Sequence, residues 1–275
     1  MKVKVMQGIG DILWVHQKLF NLADEFEYSI QIIPNDISTR LQTRSVEFVK
    51  TWPKVKSVGV EIVSASDYKM QCKREWSTKD LIDGKISHFS LNRWLEQGKK
   101  LEDLDSHKIE WSIDIPVEEH PVDSKFCCLY VSNGNKGKGE CWSIEDWASI
   151  FENVQVPIYI LGASYDKQTM LDLYDTLKND MKKLCRIYMD YKPQQVCYML
   201  KNCDFFVGWQ SGLNILADQF KTKQVMVYLD WVYPMKDAWV NPENRVPEIF
   251  NPTSFPEGSD RAKELLEKNI LGVIK

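Results

Sequence analysis

The sequence lacks the motifs that would assign it to several common enzyme classes. It contains no G-x-S-x-G motif, so a hydrolase triad has no nucleophile to build on. The phosphate-binding pattern G-x-x-x-x-G-K-S/T is missing as well. The four histidines have no zinc-site spacing with each other or with a cysteine. These absences exclude the simplest hydrolase, P-loop and zinc-enzyme interpretations.

Disulfide and membrane signals are also missing. The seven cysteines form no C-x-x-C pair, and an odd number is a poor disulfide framework. No apolar run approaches the roughly 20 residues that span a bilayer, and the chain enters a predicted strand without a signal-peptide pattern. We therefore expect a cytoplasmic protein with reduced cysteines and no integral membrane contact.

Length and charge bound the remaining classes. At 275 residues and 44% hydrophobic residues, the chain is long enough for two compact α/β halves. The net charge of −4 argues against a protein that coats nucleic acid by bulk charge, although it leaves room for local basic surfaces.

Alternating strand and helix patterns predict an α/β fold with two doubly wound domains. We expect an acceptor-side domain over 1–118, a nucleotide-binding domain over 124–252, and a terminal helix within 259–275 that packs back towards the first domain. A segment with two prolines, residues 113–123, is the predicted linker. The predicted strands are 2–6, 29–34, 55–63, 125–132, 156–161, 186–189, 204–207 and 225–229. The predicted helices are 11–23, 40–50, 91–101, 143–151, 166–177, 193–201, 213–220 and 261–268.

The first glycine turn carries the candidate base. Gly8 and Gly10 begin a dinucleotide-type pattern, but its third glycine falls on Leu13, so the pattern fails. Asp11 follows at the start of a helix, where the helix dipole favours its ionised form, and an ionised carboxylate in a cleft can act as a general base. The alternative is an ordinary helix cap. His16 is expected to be a surface or packing histidine rather than a partner base.

A second glycine turn follows an apolar strand near the end of the chain. Gln210, Ser211 and Gly212 open a helix that continues through Leu213 and Asn214. The Ser211 hydroxyl and the following amides would form a phosphate seat, because the first N–H groups of a helix have no partner within it. The alternative is a simple N-cap.

Three further segments are candidates for the same ligand. The glycine-rich loop from Ser132 contains Asn133, Lys136 and Lys138, which could contact a diphosphate; the alternative is a solvated loop. Gly162 forms the turn after the next strand. Tyr191 and Lys192 follow another strand and are expected to flank the nucleotide.

With these residues placed, the chain resembles the heptosyltransferase-like glycosyltransferases, the ADP-heptose:lipopolysaccharide heptosyltransferase family. The resemblance rests on Gly10-Asp11, on the proline-containing turn at 52–55, on the loop at 132–142, on the strand and turn at 158–162, and on the signature at 201–217. It implies the GT-B architecture, in which two Rossmann-like domains face each other across a cleft.

The resemblance also implies an activity. A sugar would move from a nucleotide-diphosphate sugar, which is a co-substrate, to an acceptor hydroxyl of a glycan or glycoconjugate, with inversion and without a metal or other cofactor. Asp11 would be the base. Charge on the departing diphosphate would be stabilised by Lys136, Lys138, Ser211 and the amides of Gly212 and Leu213.

Two alternatives stay open. The region 36–100 is locally basic and contains several aromatic residues, which would suit a DNA acceptor with a hydroxymethylated base. The residues assigned to that acceptor are Arg40, Arg44, Lys73 and Arg74. A non-catalytic nucleotide-sugar-binding or assembly protein is the other alternative, because Gln210 stands where the family usually has aspartate and Ile215 where it often has histidine.

Overall fold

The chain divides into two compact units, Met1–Val117 and Glu118–Lys275. The structure, a computed structural model, describes residues 2–6, 8–32, 45–64, 110–132, 143–151, 154–228, 241–244 and 249–250. The division between the units falls within the predicted linker.

The first unit contains a parallel sheet with the order β1-β2-β3. Apolar residues of β1 and β2, such as Val5 and Ile30, are buried. Residues 45–49 are helical. The elements are β1 (Lys2–Met6), α1 (Ile9–Leu19), a 3-10 turn (Phe20–Leu22), β2 (Phe26–Ile32) and β3 (Val55–Ile62).

The second unit contains a six-stranded parallel sheet with the order β6-β5-β4-β7-β8-β9. Counted within this unit the order is 3-2-1-4-5-6, which is that of the Rossmann fold. Its strands are β4 (Cys127–Tyr130), β5 (Ile158–Gly162), β6 (Cys185–Met189), β7 (Phe205–Trp209), β8 (Gln224–Tyr228) and β9 (Ile249–Phe250). Its helices are α2 (Ile144–Ile150), α3 (Lys167–Thr176), α4 (Asn179–Leu184), α5 (Pro193–Asn202) and α6 (Gly212–Gln219).

Local sequence explains these elements. All four residues of β4 and all five of β7 are buried, as expected for strands covered on both faces of a parallel sheet. Helix α2 begins with a capping box, in which Ser143 and Asp146 bond each other's backbone N–H groups. Proline is the first residue of α5, where its missing N–H is harmless. The five described cysteines are buried free thiols.

The structure corrects several predicted boundaries. Helix α1 begins at Ile9, two residues earlier than predicted, and ends at Leu19, before a 3-10 turn. Strand β2 begins at Phe26 rather than at residue 29. Helix α4 and the short strand β9 were not predicted. The predicted helices 91–101 and 261–268, and with them the segment 259–275, lie outside the described residues.

The end of the linker is attached to the second unit by two sets of polar contacts. Glu118 accepts bonds from Lys192 Nζ at 3.0 Å and from Gln195 Nε2 at 3.1 Å. Asp123 accepts from Tyr159 Oη at 2.6 Å and from Arg186, whose second amino group lies 3.2 Å away. The segment between them therefore lies over strands β5 and β6.

A neutral buried histidine joins three elements of the first unit. His16 on α1 is completely buried, and its Nδ1 lies 2.6 Å from the Tyr28 hydroxyl, while its Nε2 lies 3.0 Å from the Pro53 carbonyl oxygen. These partners suit a neutral ring that donates from Nε2 to Pro53 and accepts from Tyr28 at Nδ1. Burial lowers the pKa of His16 from 6.5 to about 4. His16 is thus a packing residue, and none of its ring nitrogens is available as a base.

We expect His16 to make the fold sensitive to acid. Between pH 6.5 and 4 the unfolded chain protonates this ring and the folded chain does not, so the free energy of unfolding falls as the pH falls through that window. The contribution amounts to about 3 kcal/mol, from about 1.4 kcal/mol per unit of pKa. In urea unfolding at several pH values, His16→Gln should flatten this dependence. The control is His120→Gln, at a histidine of the second unit. Equal effects of the two variants would contradict the conclusion that His16 causes the dependence on pH.

Candidate functional site

The second sheet has one topological switch point, between β4 and β7, among the described strands. After β4 the chain proceeds outward to β5 and β6, and after β7 it proceeds the other way to β8 and β9. Helices on opposite sides of the sheet leave a crevice at the carboxyl ends of such strands, and ligands bind there. Tyr130 pairs with Gly208, so Ser132 and Gln210 follow the two strands at the same level.

Gly208 permits the close approach of the two strands at the switch point. Its φ is +159°, and a Cβ at this position would collide with the carbonyl oxygen of Tyr130. Only glycine can bring β7 this close to the backbone of β4. Gln210 follows two residues later, is half-buried, and donates its N–H to the Val227 carbonyl oxygen at 3.1 Å. The backbone of the second glycine turn is therefore held between β4 and β8.

Helix α6 begins at this crevice with unsatisfied polar atoms. Ser211 is its N-cap residue, and Asn214 is its third residue. The Asn214 Oδ1 accepts a hydrogen bond from the Ser211 N–H at 2.8 Å. The Ser211 Oγ and the Asn214 Nδ2 are buried and have no hydrogen-bond partner in the part of the chain that the structure describes. Because an unpaired buried polar group costs about 1–3 kcal/mol, these atoms make the start of α6 a candidate site for a hydrogen-bonding ligand.

The electrostatics of this turn favour an anion. The amides of Gly212 and Leu213 lie in the first turn of α6, where N–H groups have no intrahelical acceptor. The positive end of the helix dipole lies at the same place. Gly212 is exposed and Leu213 is half-buried, so the first turn of α6 reaches the protein surface. Phosphate is the chemical group that such a turn recognises best.

Ser132 belongs to a buried polar cluster on the β4 side of the crevice. Its side chain and that of Asp166 lie close enough to the Tyr130 hydroxyl to affect the ionisation of that group. Burial, followed by the nearby Asp166 and Tyr165, raises the pKa of Tyr130 well above its usual value. Asp166 itself is buried, and its Oδ2 accepts from the Ala163 N–H at 3.0 Å. Sequence reasoning missed Tyr130 and Asp166, because only the pairing of β4 with β5 brings them together.

Gly162 is constrained by packing. A Cβ at this position would lie 2.5 Å from the Met170 Sδ and 3.2 Å from the Asp166 side chain. The turn that follows is held by Asp190, which adopts a φ of +58° and accepts from the Ser164 N–H at 3.1 Å. Gly162 therefore lets α3 pack against the end of β5.

Tyr191 and Lys192 lie at the end of β6, two strands away from the switch point. The Tyr191 ring packs edge-on against His120 at 5.1 Å and against Tyr188 at 5.0 Å. The Lys192 ammonium bonds Glu118, as described above. The structure therefore does not bring either residue to Ser132, Ser211 or Asn214, and their contact with a nucleotide stays a prediction.

The first glycine turn lies at the carboxyl end of β1. Gly8 is the N-cap residue of α1 with an extended backbone, and Gly10 is buried as the second helical residue. Asp11 is the third helical residue. The alternative in which Asp11 is the N-cap is wrong, because the helix begins two residues earlier.

The other predicted site residues lie outside the described residues. They are Asn133, Lys136 and Lys138 of the loop, and Arg40, Arg44, Lys73 and Arg74 of the basic region. Within the described ranges, no group of three or more His, Cys, Asp or Glu side chains could hold a metal ion. No helix in those ranges is long and apolar enough to cross a membrane.

Solved structures of sugar transferases share this arrangement of strands and helices. All of the chain aligns with all of an ADP-heptose LPS heptosyltransferase II from E. coli, at 12% identity and a TM-score of 0.64. It aligns over 99% of its length with 95% of a family 9 glycosyl transferase from Veillonella parvula, at 9% identity and a TM-score of 0.62. It aligns over 98% of its length with all of the E. coli heptosyltransferase WaaC with ADP, at 12% identity and a TM-score of 0.57. No family model and no curated protein match the chain.

At 9–12% identity, this likeness establishes the fold. The chain has the α/β fold with parallel sheets that these heptosyltransferases and the family 9 glycosyl transferase have. The predicted fold class is confirmed, and the resemblance on which it partly rested is confirmed at the level of the fold. The arrangement of two domains across a cleft stays a prediction.

Gly208→Ala should damage the switch point directly. The added methyl group would collide with the backbone of Tyr130, which cannot move without disrupting the pairing of β4 with β7. We expect a loss of at least about 2 kcal/mol in the free energy of unfolding, measured with urea. Gly59→Ala is the matched control, because its Cβ would lie 3.8 Å from the Tyr28 carbonyl oxygen, an ordinary contact. Equal losses in the two variants would contradict the close-approach argument.

Proposed function

We propose that this protein is a glycosyltransferase that uses a nucleotide-diphosphate sugar as donor. The observation that carries the proposal is the start of α6 at the sheet's switch point, where the buried Ser211 Oγ and Asn214 Nδ2 have no partner in the described chain. Donor binding by relatives of the same fold supports it: the neighbouring heptosyltransferase II uses ADP-heptose, and the neighbouring WaaC structure is one with ADP. ADP and ADP-heptose are therefore the first ligands to test.

The donor diphosphate would occupy the start of α6. The Gly212 and Leu213 amides and the Ser211 hydroxyl would donate hydrogen bonds to its oxygens, and Asn214 Nδ2 would add a further donor. On the other side of the switch point, the Ser132 loop with Asn133, Lys136 and Lys138 would supply positive charge. These groups would stabilise the charge that builds up on the departing diphosphate, which is the largest electrostatic demand of the reaction.

Asp11 is proposed as the general base. Its carboxylate would take the proton of the acceptor hydroxyl while that oxygen attacks the anomeric carbon from the side opposite the diphosphate. The bond between the anomeric carbon and the phosphate oxygen breaks, so a glycoside with inverted configuration and a free nucleoside diphosphate result. The step requires no redox partner, and we propose that it needs no metal ion. The acceptor is proposed to be a glycan or glycoconjugate.

Asn214→Asp should weaken donor binding without removing the helix cap. The aspartate keeps an oxygen that accepts from the Ser211 N–H, but it places negative charge where the amide donor was. We expect the Kd for the cognate nucleoside diphosphate to rise at least about tenfold, or about 1.4 kcal/mol. Thermal melting with UDP, GDP, ADP, CMP and their sugars first identifies that nucleotide, and calorimetry then compares the variants.

The control is Asn202→Asp at the carboxyl end of α5. It makes the same change at an exposed residue whose side chain bonds the Tyr198 carbonyl oxygen, on the amino-end side of the sheet. Its Kd should match that of the unchanged protein. A stabilising shift with NAD alone, or an unaltered Kd in Asn214→Asp, would show that the start of α6 is architecture rather than a donor site.

Asp11→Asn should abolish transfer and preserve donor binding. Loss of a general base lowers turnover by about 10²- to 10⁴-fold, whereas the donor contacts proposed above do not involve this residue. Nucleotide release and sugar transfer are measured with saccharide acceptors and with hydroxymethylated DNA, with and without a chelator. Asp24→Asn, an exposed change beyond the other end of α1, is the control. Retained turnover in Asp11→Asn would remove the residue from the mechanism.

A non-catalytic outcome is distinguishable in the same assays. Ile215 is completely buried, so this position packs into the core and brings no side-chain chemistry to the crevice. If the unchanged protein binds a nucleotide sugar and never releases the nucleotide with any acceptor, its function is binding or assembly. The donor site would then be supported, and the proposed transfer reaction would be wrong.

A further inference from the structure

Strand β3 of the first unit is an edge strand among the described strands, and it carries exposed apolar side chains. It has one strand neighbour, β2, among the described residues. Val60 is 49% exposed and Ile62 is 74% exposed, which is unusual for β-branched residues of a parallel sheet. Natural edge strands are normally protected by proline, free lysines or bulges. The eight residues of β3 contain no proline and one lysine, and the irregularity in the pairing with β2 lies at the start of the strand, between Val55 and Ser57, before the exposed residues.

The charged residues of β3 are already paired within their own unit. The Lys56 ammonium lies 3.2 Å from the Glu25 carboxylate of the same unit. Glu61 binds the Lys4 ammonium at 3.0 Å and accepts a bond from the Ser29 hydroxyl at 3.3 Å. The charged side chains of the strand are therefore paired within their own unit, whereas Val60 and Ile62 are exposed.

Backbone groups without a partner among the described residues lie on the edge of β3 that faces away from β2. The N–H of Val63 donates to the Ile32 carbonyl oxygen at 2.9 Å, so odd-numbered residues of β3 direct their N–H and C=O groups towards β2. Even-numbered residues therefore direct theirs away from β2. The side chains of Val58, Val60 and Ile62 share one face of the strand, since side chains alternate between faces.

We propose that β3 pairs with β3 of a second copy of this chain, in an antiparallel dimer with Val60 on the twofold axis. In this register Val60 faces Val60 of the other copy, and Val58 faces Ile62, so three apolar cross-strand pairs form. Gly59 faces Glu61, and Lys56 falls opposite residue 64, beyond the end of the strand. All outward backbone groups from Val58 to Ile62 gain partners.

Neighbouring registers are less complementary. With Gly59 on the axis, Lys56 faces Ile62, and with Val58 on the axis, Lys56 faces Val60. Both place an ammonium stem opposite an aliphatic residue and lose apolar pairs. The preferred register is thus the one that separates the charges from the apolar groups, and it joins the two described three-stranded sheets into one.

The dimer is tested by the oligomeric state of the full chain. An interface of modest area associates at about 1–100 μM. Sedimentation velocity in this range of concentrations should therefore show a dimer. Val60→Lys would bring two ammonium groups together at the axis and should lower the association constant at least about tenfold. Ser57→Lys adds the same charge to the other face of β3 and should leave it unchanged. A monomer throughout this range, or equal effects of the two variants, overturns the proposal.

Cross-linking tests the register independently of stability. Hydrogen-bonded antiparallel pairs place their Cα atoms about 5.5 Å apart, which a disulfide spans. Val60→Cys should therefore form a disulfide-linked dimer under mild oxidation. Ser57→Cys should not, because in this register the two copies of residue 57 lie about 20 Å apart. Equal cross-linking of both, or none at Val60→Cys, overturns the register and with it the proposed dimer.

Discussion

The close contact between β4 and β7 is the constraint on which the candidate site depends. The chain leaves β4 in one direction and returns to build the rest of the sheet in the other, so these two strands must meet backbone to backbone. Gly208 makes that possible, because any side chain there would occupy the space of the Tyr130 carbonyl group. Because β4 and β7 are paired in register, Ser132 and the start of α6, which follow them directly, both lie at the carboxyl edge of the sheet. Binding chemistry is therefore concentrated where the topology leaves space.

Unpaired buried atoms gain meaning only from their place in the fold. Gln224, at the amino end of β8, is buried and has no hydrogen-bond partner for either amide atom among the described residues. Nothing in the structure explains that amide. The Ser211 hydroxyl and the Asn214 amide differ because they coincide with a helix N-terminus, a positive dipole and the switch point of the sheet. The helix N-terminus and the switch point of the sheet thus both coincide with the unpaired atoms of Ser211 and Asn214, whereas neither feature lies at Gln224.

The sequence predicted the second glycine turn more closely than the first. Strand β7 and helix α6 were predicted to within two residues at either end, because apolar strands alternate there with amphipathic helices and glycine turns. The start of α1 was misplaced because Gly8 caps it, and glycine gives a weaker cap signal than serine or aspartate. The contact between Tyr130 and Asp166 could not be predicted, since the residues are distant in sequence and only the order of the strands brings them together. Asn214 was among the predicted binding residues, but the burial of its Nδ2 without a partner among the described residues could not be predicted, because it depends on the packing around the helix.

The edge strands β6 and β3 of the two described sheets differ in how far other parts of the chain cover them. In the second unit, the end of the linker lies over β6: Asp123 bonds Arg186 at the start of the strand, and His120 packs on Tyr188 further along. Tyr188 of that strand is thereby buried, and its Arg186 is paired. Strand β3 of the first unit has no comparable cover among the described residues, although it carries more exposed aliphatic surface. The charged side chains of β3 are already paired, so pairing with a further strand would stabilise this sheet mainly by covering aliphatic residues and outward backbone groups. A second copy of the chain, related by a twofold axis, is the simplest source of a matching strand.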